Sequence, residues 1–205
     1  MILKAYAVPH PPIILPEVGR GEEKKIQRSI DAMKRMADEI ATLAPDTIII
    51  SSPHAPMYAD GFFLAGGKRA VGTLSQFGIG DVIEEIEYDV ELADRLRAIN
   101  QDVPFASPGR PSESLDHGTL IPLRFINSVY NQFKVLRLGL SGYGAVDHYR
   151  LGQMIARAAQ DLERRAVYIA SGDLSHVLKE SGPYGYREEG PAFDKKIVDI
   201  LSRGA

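Results

Sequence analysis

Apolar positions along this chain follow two rhythms, and the switches between them outline its elements. Residues 2–8 form a short apolar run that ends at Pro9 and reads as a buried strand. From about Gly21 to Leu43 the rhythm changes. Ile26, Ile30, Met33, Ala37, Ile40 and Ala41 recur at three- and four-residue spacings with charges between them, which predicts an amphipathic helix stopped by Pro45-Asp46. Thr47-Ile48-Ile49-Ile50 is β-branched throughout and predicts a central strand that delivers Ser51, Ser52 and His54 to its carboxyl end.

The alternation continues. The glycine-rich stretch 61–74 accommodates one or two edge strands, and Asp81 to Tyr88 reads as another strand. Asp89 suits the N-cap of a helix through Asn100. Residues 101–117 read as a long loop carrying three prolines, and Gly118 to Tyr130 as helical after Pro122. A strand over Phe133–Leu140, a turn at 141–144, a helix over Asp147–Arg164 and a strand over Ala166–Ala170 follow, then a glycine-rich loop at 181–190 and a last helix over Pro191–Leu201. Strands alternating with helices define an α/β class: a central mixed, mostly parallel sheet flanked by helices. No internal repeat or linker interrupts it, so residues 1–205 are expected to form a single domain. The chain stops after a helix with no closing strand, which leads us to expect a longer parent protein, with the C-terminal portion of the domain lying past Ala205.

Composition narrows the classes. The 205 residues are 44% hydrophobic and 25% charged, enough to bury a core without cross-links. A net charge of −3 without a basic stripe argues against nucleic acid as a partner. Cysteine is absent, which excludes disulfides, thiolate nucleophiles and zinc–thiolate sites and fits a reducing compartment. No apolar run reaches membrane-spanning length, and the apolar start lacks a basic leader region, so the expectation is a cytoplasmic protein without a membrane partner.

The candidate chemistry lies in four of the five histidines. They are His10 in Val8-Pro9-His10-Pro11-Pro12, His54 in Ser51-Ser52-Pro53-His54, His117 in Asp116-His117-Gly118, and His176 in Ser171-Gly172-Asp173-Leu174-Ser175-His176. Three follow predicted strands, and ligands of α/β folds bind outside the carboxyl ends of strands. Imidazole is both the commonest side-chain metal ligand and an acid/base that works near neutral pH. His10 and His54, each held in a stiff proline-containing turn, are the candidate metal ligands. His176 suits proton transfer. Asp116 can orient His117. His148, at a helix start, reads as structural. Two histidines with a carboxylate suit non-haem Fe(II), while Zn(II) accepts the same ligands. Asp173, Asp116, Glu188 and Glu189 are carboxylates available by position.

Taken in order, Pro9-His10-Pro11-Pro12, Ser52-Pro53-His54, Asp116-His117-Gly118 and the segment from Ser171 to His176 resemble the class III extradiol ring-cleavage dioxygenase family, with its LigB-like fold. The segment Pro16-Glu17-Val18-Gly19-Arg20-Gly21 resembles a branch associated with Memo-like and radical-SAM proteins. The resemblance implies a catechol-type diol and O2 as partners, Fe(II) as cofactor with Zn(II) as the alternative, and the possibility of a homo-oligomer. It implies His10 and His54 as iron ligands, His176 and His117 as catalytic residues, the latter beside the substrate, and Asp173 and Asp116 as substrate-contacting. The family's third ligand is a glutamate well beyond the late histidine motif, a position no residue of this chain occupies. A Memo-like metal-binding protein without ring cleavage, and a metal-assisted hydrolase, are the alternative readings.

Overall fold

The computed structural model describes residues 1–100, 105 and 113–203. Four strands form the central sheet: β1 (Ile2–Val8), β2 (Thr47–Ser52), β5 (Lys134–Gly139) and β6 (Ala166–Ser171). Their order is β1-β6-β2-β5, and every pair is parallel. Parallel pairing puts the carboxyl ends of all four on one edge: Val8 registers with Ser171, Ser51 with Ala170, and Ser52 with Gly139. The antiparallel component is separate. It is a two-stranded sheet of β3 (Arg69–Leu74) and β4 (Ile79–Glu87), joined through a tight turn in which Gly78 takes φ +77°.

Side-chain alternation on β2 shows why the sheet is covered on both faces. Ile48 and Ile50 join Val135, Val167 and Ile169 in one core, whereas Ile49 joins Leu136, Leu138 and Ala166 in the other. The first core is closed by α2 (Gln27–Leu43), through Ile30, Met33, Met36, Ala37 and Ile40, and by α4 (His117–Asn127), through Leu120, Leu123 and Ile126. The second is closed by α3 (Val90–Ile99), through Leu92 and Leu96, and by α5 (Ala145–Asp161), through Leu151, Ile155 and Ala158. Burying each such aliphatic side chain stabilises the fold by about 1.5–3 kcal/mol before conformational entropy is charged against it.

Several boundaries differ from the sequence reading for identifiable reasons. The helix expected from Gly21 is split: a short helix α1 spans Pro16–Gly19, a 3-10 segment spans Glu22–Ile26, and regular α2 begins only at Gln27, because Ile26 leaves the helical region at φ −119°, ψ 32°. α4 starts at His117, ahead of the proline-defined start the sequence suggested, because Asp116 caps it; Pro122 lies inside the helix. α5 starts at Ala145, and the last helix, α6, spans Glu189–Arg203. Asp89 caps α3 as expected, accepting from Leu92 N–H. Most of the long loop expected over 101–117 lies outside the described residues.

The chain divides into two compact units, Met1–Gly172 and Asp173–Ala205. The first holds both sheets and α1 to α5. The second is α6 and the segment leading to it, which carries a bridge between Leu178 and Tyr186 and a hydrogen bond from Ser175 N–H to Asp194.

Candidate metal centre

β1 and β2 both neighbour β6 and run parallel to it, so the turns that follow them leave the same edge of the sheet. His10 lies two residues past β1 and His54 two residues past β2. α4 opens at that edge with His117 as its first residue. The three imidazoles converge. Ring centroids are 4.9 Å apart for His10–His54, 5.5 Å for His10–His117 and 3.9 Å for His54–His117. One nitrogen from each lies within 4.8 Å of one from each of the others. His10 and His54 face each other through their Nε2 atoms at 3.1 Å. His10 is buried, His117 half-buried and His54 exposed, so the cluster is anchored on one side and open to solvent on the other.

The donor set fits a cation. Two nitrogens 3.1 Å apart, each about 2.1 Å from a common ion, subtend about 95° there, an ordinary angle between neighbouring ligands. Neutral imidazoles are also the right charge state for metal ligation.

A buried polar hub holds the three turns in place. Asp116 caps α4: Oδ1 accepts from Thr119 N–H at 3.0 Å and from the Ser52 hydroxyl at 2.5 Å. Its Oδ2 accepts from the Thr119 hydroxyl at 2.8 Å and from Arg137 Nη2 at 2.8 Å. The Ser52 hydroxyl oxygen in turn accepts from His54 N–H at 3.2 Å. One carboxylate thus ties the start of α4, and with it His117, to the turn that carries His54. Burial alone would raise the Asp116 carboxyl. The Ser52 hydrogen bond, the Arg137 charge and the two Thr119 donors outweigh it and hold the group below its usual range. Arg137 is buried on β5, also donates to Ser114 C=O at 2.8 Å and lies over the Phe63 ring. Its Nε has no hydrogen-bond partner among the described residues.

Packing around the hub is tight at Gly118. A Cβ there would lie 2.5 Å from Ser52 Oγ, 3.0 Å from Asp116 Oδ1 and 3.2 Å from His54 Cδ2. Only glycine lets α4 approach the His54 turn this closely. On the far side, His10 Nδ1 lies 2.8 Å from Ser171 Oγ, at the end of β6.

The structure therefore brings together three of the sequence-nominated histidines and gives the Asp116 carboxylate four hydrogen bonds, one each from Ser52 and Arg137 and two from Thr119. Asp173 and His176 belong to the second unit, where Asp173 Oδ2 lies 3.7 Å from His176 Nε2 and the His176 ring lies against Tyr184, with ring centroids 5.4 Å apart. Glu188 and Glu189 are exposed. His148 makes a local contact with Gly144 C=O and packs edge-on against Phe62. Sequence reasoning missed Arg137, Ser171 and the packing role of Gly118. A lone arginine in the apolar run Val135–Leu138 was the available signal for the first.

A parallel α/β sheet that presents three imidazoles at its carboxyl edge defines a domain suited to metal-assisted chemistry. The chain belongs to the family described as the catalytic LigB subunit of aromatic ring-opening dioxygenase, whose match covers residues 4–205 and so runs through both units. It is 38% identical over 208 residues to a protein of Clostridium acetobutylicum, covering 97% of this chain and 44% of that one. It is 23% identical over 192 residues to the 3,4-dihydroxyphenylacetate 2,3-dioxygenase of Escherichia coli, covering 87% of this chain and 69% of that enzyme. The chain thus spans less than half the length of the Clostridium relative. Among the described residues no helix is long and apolar enough to cross a membrane.

Proposed function

We propose that this chain carries the metal centre of an extradiol-type dioxygenase that opens a catechol-like ring with O2, and that the ion is Fe(II). The observation that carries the reading is the convergence of His10, His54 and His117 at the carboxyl edge of the sheet, in a chain of the ring-opening dioxygenase family. His10 and His54 hold the ion, with His117 on the third side of the cluster. When bound, Fe(II) supplies the redox capacity and the positive charge that favours an ionised diol.

The protein's own part is placement and proton movement. The exposed side of the cluster, at His54, admits the diol. The Asp116 hub fixes where His54 and His117 stand. In this reading Asp116 is a positioning residue, acting through its hydrogen bonds with Ser52, Thr119 and Arg137. His176 is the proton-transfer residue of this reading and Asp173 a substrate-contacting one; the motif from Ser171 to His176 that they share supports these roles.

The test is oxygen uptake by anaerobically iron-loaded protein given a panel of simple catechols. Uptake that disappears in His10→Ala and His54→Ala supports the reading. Full iron loading without uptake on any catechol overturns it.

One observation favours a second reading. Three imidazoles are also the ligand set of open catalytic zinc sites, in which a metal-bound water is the nucleophile. Preferential zinc loading, with hydrolysis of an activated ester lost in His54→Ala, would favour that hydrolase reading.

A further inference from the structure

We propose that Ser171 sets the tautomer of His10, using a carbonyl that Pro122 leaves free, so that His10 turns an unprotonated Nε2 toward His54.

In an α-helix each carbonyl accepts from the N–H four residues on. For Gly118 that donor would come from residue 122, which is proline and has no N–H. The Gly118 carbonyl, buried at the start of α4, therefore needs another donor. Ser171 supplies it, with its hydroxyl donating to Gly118 C=O at 2.6 Å.

A serine hydroxyl has one proton. With that proton committed to a carbonyl that can only accept, Ser171 Oγ can meet His10 Nδ1 at 2.8 Å only as an acceptor. Nδ1 must then carry the hydrogen. In the neutral ring this leaves Nε2 with its lone pair, and Nε2 is the atom that faces His54 Nε2 at 3.1 Å. Both Ser171 and His10 are buried, so water competes poorly for either atom. A proline in one helix thus decides, through one carbonyl and one hydroxyl, that Nδ1 of a histidine on another element carries a hydrogen. Outer partners of this kind fix ring orientation and raise ligand basicity.

The part of this inference that concerns metal affinity rests on the metal-centre reading; the tautomer itself does not. The two are separated by measuring the tautomer first, in metal-free protein. Long-range ¹H–¹⁵N correlation spectra of ¹⁵N-histidine-labelled chain should show His10 protonated at Nδ1 and unprotonated at Nε2. Ser171→Ala should lose that preference and Ser171→Thr, which keeps the hydroxyl, should retain it. A Co(II) titration followed by absorbance should then show a 10–100-fold weaker affinity in Ser171→Ala and near-normal affinity in Ser171→Thr.

An Nε2–H tautomer of His10 in the wild-type chain overturns the proposal outright, even if the alanine variant does not fold. An unchanged tautomer in folded Ser171→Ala overturns the role of Ser171. The expected tautomers together with no Co(II) binding by wild type would sustain the Ser171 assignment and remove the metal-centre reading.

Discussion

Asp116 and Arg137 form an ion pair at 2.8 Å, with side chains only 10% and 3% exposed. Its position, between the cap of α4 and the middle of β5, makes it both a structural tie and the support on which His54 and His117 stand. Removing one partner of a buried pair leaves the other charge without compensation, which typically costs about 3–5 kcal/mol. Asp116→Ala and Arg137→Met should each destabilise the chain by about that amount in urea unfolding, and the double variant should lose clearly less than the sum. Additive losses would mean that the pair is not energetically coupled.

Gly118→Ala should be costly although alanine is the better helix former. The added methyl would have to displace the Ser52 hydroxyl, the Asp116 carboxylate or the His54 ring. We expect a loss of about 1–3 kcal/mol, of the size seen for overpacking, together with weaker metal binding. A stabilised variant with unchanged metal affinity would show that α4 leaves room for a methyl group beside the His54 turn.

Glu17 provides a pH-dependent prediction away from the centre. A hydrogen bond from its own backbone, and then Arg124, hold its carboxyl below the ordinary value against the opposing effect of partial burial. The native state therefore binds fewer protons here than the unfolded chain. The stabilisation is present above the unfolded carboxylate value of about 4.3 and is lost as pH falls through the lower folded value. Glu17→Gln should make stability less pH-dependent in that acid range, as read by urea midpoints at stepped pH. An identical acid limb in the variant would exclude the ion pair as a contributor.

His117 separates two descriptions of the site. Its ring stands as close to His54 as any pair in the cluster, at 3.9 Å between centroids. If it contributes a nitrogen to the ion, His117→Ala should weaken Co(II) binding by at least tenfold and change the cobalt absorbance bands. Unchanged affinity and bands would leave His117 beside the substrate, where the family resemblance puts it.

Much of this architecture is legible in the sequence because it is written in local signals. The β-branched run at Thr47–Ile50, the spacing of Ile30, Met33, Ala37 and Ile40, and Asp89 as an N-cap each specify an element with little help from distant residues. The α/β class follows from their alternation. The start of α4 depends instead on distant residues. Pro122 suggests a first turn, but the capping power of Asp116, reinforced by Ser52 and Arg137 from other strands, starts the helix five residues earlier. The same limit applies to the site. His10 and His54 announce themselves by following strands. That His117 joins them depends on the strand order β1-β6-β2-β5 and on the approach of α4, which no spacing rule encodes. Ser171 and Gly118 are unreadable as a pair because their interaction depends on the missing N–H of Pro122, far from the serine in sequence.

The proposal stands or falls on whether His10 and His54 hold one metal ion in the cluster they form with His117. The most direct test is the metal content of anaerobically prepared protein after iron loading and removal of loosely held ions, measured for wild type and for the three single alanine variants. We expect close to one iron per chain in wild type and little in His10→Ala or His54→Ala, while His117→Ala loses iron only if its ring ligates the ion and keeps it if the ring lies beside the substrate. Wild-type protein that is folded yet retains no ion, or His10→Ala and His54→Ala variants that retain as much as wild type, would contradict it.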